Sequence, residues 1–132
     1  MTSSMFEKLY EIAEYLGDLN SMGKVKGNPY HEKGYAKIQQ VKRGCSFWIH
    51  YWNDERLLID LLISETAKNR FPADSEQEVN LFRKLFGENV ERTTWSHSDG
   101  RGKEHDHYYI NVGSASVDEI KTIITQIQNS FT

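Results

Sequence analysis

The sequence predicts an α+β fold, an antiparallel sheet of about five strands with three helices in the order α-β-β-β-α-β-β-α. Three observations lead there. Three segments carry apolar residues at helical spacing. Five short segments alternate or are rich in aromatic and β-branched residues. The links between neighbouring strand segments are short, which favours hairpins over crossovers.

The first helix spans 4–17. Phe6, Leu9, Tyr10, Ala13 and Leu16 form one stripe, Ser4 and Glu7 fit a capping box, and Gly17 fits a stop. The stretch from Gly17 to Gly34 holds four glycines and Pro29, so 18–34 reads as irregular. Strands follow at 35–41, 45–53 and 56–64, joined through "KRG" and "DE". A second helix covers 75–86, with Ser75 and Glu78 as its capping box and Gly87 as its stop. Strands at 90–97 and 105–112 flank "SDGRGKE". The last helix starts at Ser116, boxed with Glu119. It carries Val117, Ile120, Ile123, Ile124, Ile127 and Phe131 on one side, the cleanest periodicity in the chain.

The 132 residues suit a single domain, 1–132, large enough for a core without disulfides. The lone cysteine, Cys45, allows no internal disulfide and no cysteine-based zinc site, which fits a reducing compartment. The first twenty residues scatter glutamates among apolar positions, unlike a secretory signal. The longest apolar stretch, "LLIDLLI", is far too short to span a membrane. A cytoplasmic protein is expected. A net charge of −3 argues against a protein that coats nucleic acid or a membrane surface.

Strand alternation sorts the chemistry-bearing residues by face. In the last strand Tyr108, Ile110 and Val112 form the core row, and His105, His107, Tyr109 and Asn111 the other. In the second, Phe47, Ile49 and Tyr51 oppose Trp48, His50 and Trp52. The third is apolar on both sides except for Asp60, so its second face should be partly covered, with the N-terminal helix as the proposed cover. The remainder of that face is expected to be a surface bearing tryptophan and histidine. Two registers fit the last hairpin: either 97 pairs with 105 and 95 with 107, or a tight "DG" turn at 99–100 shifts the pairing.

Four constellations carry possible chemistry. His105 and His107 stand about 6.6 Å apart on one strand face, close enough for one metal ion. Zinc needs a further ligand, from His97 or Asp60, and the alternative is a pair of solvated histidines. The run "SHSD" at 96–99 is not a triad, because a triad is assembled across a fold, and Ser96 and His97 point to opposite sides. Trp48, Trp52 and Trp95 are either core packing or contact residues, with Trp52 and Trp95 better placed for contact. Finally, 21–43 holds Lys24, Lys26, Lys33, Lys37, Lys42 and Arg43 against Glu32 alone. This patch suits a nucleic-acid backbone or is a solvated loop. "GRG" and "GNPYHEKG" lack phosphate-loop spacing, and Cys45 reads as structural.

The course of "FWIHYWNDERLLIDLLIS", a helix ending "LFG", then "YYINVGSASVDEIKTIITQIQNSF" resembles a loose class of small domains that accompany restriction-type nucleases and other bacterial defence genes. The resemblance covers about residues 35–131 and rests on element order and the closing helix. The Asp…Glu-x-Lys strand of a PD-(D/E)xK nuclease is missing, so the resemblance implies an accessory domain rather than a cutting enzyme.

The expectation is a non-catalytic macromolecule-binding protein, possible as an inhibitor, immunity or accessory factor in a bacterial or phage defence setting. It would contact its partner through Trp52, Trp95, His105, His107 and Tyr109. That partner is expected to be another protein, with no resident cofactor. Two alternatives stand beside it. One is a small metal-dependent enzyme built on His97, His105 and His107. The other is a nucleic-acid-binding accessory domain using Lys24, Lys26, Lys42 and Arg43.

Overall fold

The computed structural model describes residues 5–18, 34–42, 44–53, 55–64, 75–96 and 104–131, with the backbone alone at 53, 64, 94–96 and 104–106. Its elements follow the expected order: α1 (Met5–Leu16), β1 (Tyr35–Lys42), β2 (Cys45–Asn53), β3 (Arg56–Ser64), α2 (Glu76–Phe86), β4 (Glu91–Ser96), β5 (Glu104–Asn111) and α3 (Val117–Ser130). A 3-10 turn, Gly87–Asn89, follows α2.

The helix ends show how local sequence sets local structure. At the end of α1, Gly17 takes φ +72°, its amide donates to Glu14 O, and the Asp18 amide reaches back to Ala13 O. This is a Schellman closure that satisfies two of the last carbonyls. Asp18 then accepts the Lys37 amide at 2.8 Å, tying the helix end to the edge of β1. At α3 the expected capping box is complete: Ser116 Oγ accepts from the Glu119 amide, and Glu119 Oε1 accepts from the Ser116 amide. The box expected at Ser75 does not form. Ser75 is itself helical at φ −70° and ψ −12°, with no capping bond from its side chain, while Glu78 pairs with Lys42 at 2.9 Å. The partner across the fold takes the glutamate that a capping box needs. Ser4, expected to cap α1, lies outside the described residues. Ser116→Ala should therefore cost about 1 kcal/mol. Ser75→Ala should cost less, as read by urea unfolding of the two variants side by side.

All strands pair antiparallel in the order β1-β2-β3-β5-β4. The last hairpin adopts neither expected register. Trp95 pairs with His105 and Thr93 with His107. Relative to the 97–105 pairing this is a shift of two residues, an even step that leaves each row on its face. More consequential is that β5, not β4, lies against β3, with Asp60 opposite Tyr109 and Leu62 opposite His107.

The three described helices pack on one face of the sheet. Phe6 of α1 meets Tyr51 with ring centroids 5.9 Å apart. Phe47 of β2 receives Phe82 of α2 at 5.4 Å and Phe131, just past α3, at 4.7 Å. Around these rings Leu9, Ile12, Ile49, Ile59, Leu61, Ile120, Ile124 and Ile127 are fully buried. The expectation that α1 covers the second face is thus corrected. Its apolar stripe joins the core already built by α2 and α3, because Leu9, Ile12 and Ala13 find the larger apolar surface there. The opposite face carries no described helix, yet Leu58, Asp60, Ser46 and His107 on it are buried. The centre of that face is closed and its β1–β2 end is open.

Candidate functional site

The helix-free face is assembled by alternation and register. On β2 it receives Ser46, Trp48, His50 and Trp52. In β1, Tyr35 pairs with His50 and Lys37 with Trp48. The rings of Tyr35 and Trp48 meet edge to face at 5.4 Å, and Lys37 Nζ lies 5.7 Å over the Trp48 ring. Trp48 Nε1–H donates to Ser46 Oγ at 2.8 Å, which gives a half-buried indole its partner. Trp52 and Tyr35 remain 47% and 45% exposed, large aromatics held open at one end of the sheet. On the far side, Arg56 lies 5.7 Å over the Tyr109 ring and 3.4 Å from Glu91.

Beneath the aromatics lies a buried polar cluster spanning three strands. Asp60, on β3, stands between Trp48 of β2 and Tyr109 of β5 in register. His107 Nδ1–H donates to Asp60 Oδ2 at 2.6 Å, and both side chains are almost wholly buried. An ionised carboxylate only accepts, so this bond places a hydrogen on Nδ1. His50 Nε2 approaches the same oxygen at 3.4 Å, within ion-pair range but without a hydrogen bond. Asp60 Oδ1 accepts none from the described residues. Burial pushes the Asp60 carboxyl up, but the hydrogen bond from His107, the close approach of His50 and the electrostatic attraction of both rings outweigh it, and the net shift is down. Its folded value thus lies below its unfolded one. The ionised cluster contributes stability above the ordinary aspartate value of about 3.9 and loses that contribution as the pH falls through the lower folded value. The wild-type protein should show this acid limb in stability measured against pH, and Asp60→Asn should flatten it.

The residues singled out in the sequence are placed unequally. Trp52 is open, and Tyr109 is half-buried beside Arg56. His107 is on the expected side of the sheet but only 2% exposed, so it forms the floor of the face and not its surface. The carboxylate of Asp60 on the neighbouring strand holds it there. Trp95 and His105 are paired in register, and their side chains lie outside the described residues. His97 also lies outside them, as do Lys24, Lys26 and Arg43. Lys42, the one described residue of the four expected to contact nucleic acid, pairs with Glu78 of α2, on the helix-bearing side. Asp60, considered as a metal ligand, accepts a hydrogen bond from His107. Among the described residues no group of three or more His, Cys, Asp or Glu is arranged to hold a metal ion. No described helix is long and apolar enough to cross a membrane. Cys45 is buried, and burial, followed by the charge of Glu78, pushes its thiol up to about 11 against the smaller opposing effect of Lys42. That supports packing over reactivity.

Sequence reasoning missed Tyr35 and Lys37 as members of this face and missed the Asp60–His107 bond. The signal for the bond was present: a single aspartate inside "LLIDLLI" needs a buried partner, because a lone charge in an apolar strand is costly. No protein-family model, curated protein or solved structure matches this chain.

Proposed function

We propose that this protein acts without catalysis, by docking another protein on the helix-free face of its sheet, with Trp52 as the anchor and Tyr35, Trp48 and Tyr109 around it. The observation that carries the reading is Trp52, 47% exposed on a strand whose preceding residues, 45–51, are buried or half-buried. Interfaces draw much of their energy from a few aromatic anchors on rigid supports, and the buried Asp60–His107 bond supplies a rigid support here. The resemblance to domains that accompany restriction-type nucleases favours an inhibitor, immunity or accessory role in bacterial or phage defence, in the cytoplasm. Neither a resident cofactor nor a membrane enters this reading.

The test is capture from native cells, identification of the retained protein by mass spectrometry, and titration of the purified partner against wild type and Trp52→Ala. An anchor residue contributes at least about 2 kcal/mol, so the variant should bind at least about 25-fold more weakly while keeping the wild-type circular dichroism spectrum. Equal affinity of the two proteins for the identified partner overturns the reading.

A further inference from the structure

His50 links the buried cluster to the open end of the face. Its Nε2 is buried and points at Asp60 Oδ2 from 3.4 Å, too loosely for a hydrogen bond. Yet 19% of its side chain is exposed, so the ring touches both the interior and water. The same ring meets Trp52 edge to face, with centroids 6.5 Å apart. His50 thus stands within ion-pair range of the carboxylate on one side and in ring contact with Trp52 on the other.

We infer that His50 is a proton-sensing positioning residue: its protonation pulls Nε2 onto Asp60 and turns Trp52, re-setting the docking face. This rests on the reading of Trp52 as the anchor. The ordinary titration of histidine falls between about pH 5 and 8, the range in which such a device is useful. A proton added to His50 places a positive charge beside an ionised, buried carboxylate whose Oδ1 accepts no hydrogen bond from the described residues, and opposite charges in a poorly solvated site attract strongly.

The other charged and titratable groups on the same face set the balance. From β1 come Lys37 and Tyr35, paired with Trp48 and His50. From β3 comes Arg56, from β5 His107 and Tyr109, and from β4 Glu91, bonded to Arg56. The described helices pack on the opposite side and contribute none. Lys37 and Arg56 are engaged over the rings of Trp48 and Tyr109, leaving His50 nearest to Asp60 after His107 among the described residues.

The test needs no partner. In nuclear magnetic resonance spectra of the full chain taken from about pH 5 to 8, the Trp52 indole N–H, assigned through Trp52→Phe, should shift with the same midpoint as the His50 ring protons. The Trp52 shift should vanish in His50→Gln and shrink in Asp60→Asn. A Trp52 signal that stays flat while His50 titrates overturns the inference, as does a shift that persists in His50→Gln. If either variant fails to fold, the wild-type comparison of midpoints decides alone. Coupled titration with no captured partner would leave the His50–Trp52 coupling standing and remove the docking reading. A partner whose binding depends on Trp52, with a flat indole signal, would do the reverse.

Discussion

Replacing Asp60 with alanine should lower the stability of the protein by about 3 kcal/mol, the upper end of the cost of leaving a buried hydrogen-bonding group without its partner. The loss has two parts. His107, almost fully buried, loses the acceptor at 2.6 Å that satisfies its Nδ1–H. In addition, β2, β3 and β5 lose the side-chain contact that joins them on the helix-free face. Urea unfolding should show a lower midpoint with an unchanged slope, because the folded state remains compact. Replacing the pair together, Asp60→Leu with His107→Phe, should recover most of the loss, since replacing both partners of a buried hydrogen bond by well-packed apolar groups is often nearly neutral. A single variant within about 1 kcal/mol of wild type would show that the cluster is hydrated and not buried.

Phe47→Ala is expected to be of similar size, about 3–5 kcal/mol, through a different mechanism. Phe47 is fully buried and packs against both Phe82 and Phe131, so its ring joins the sheet to α2 and to the end of α3. Truncation opens a cavity that helices anchored elsewhere cannot fully close. Thermal unfolding should report the loss, and Phe47→Leu, which keeps more of the volume, should lose markedly less. The two substitutions separate the two sides of the sheet: one is a packing defect in the helix-bearing core, the other an electrostatic defect on the opposite face.

How much of this was legible beforehand differs by level. Helix and strand positions followed from periodicity, and every described boundary lies within one residue of the expected one. Ser116 with Glu119, and the stops at Gly17 and Gly87, were readable because capping and left-handed backbone are local matters. The box at Ser75 was misread because Lys42, distant in sequence, takes Glu78. The face of His107 was readable by alternation, and its burial was not.

By itself the sequence determined the elements, their order, and which residues share a strand face, since each depends on neighbours a few positions away. Only the tertiary structure decided that β5 lies beside β3, which brings His107 to Asp60, and that all three described helices gather on one side. Pairing between strands more than forty residues apart is chosen by the competition of whole faces for burial, a quantity that no local pattern of residues contains.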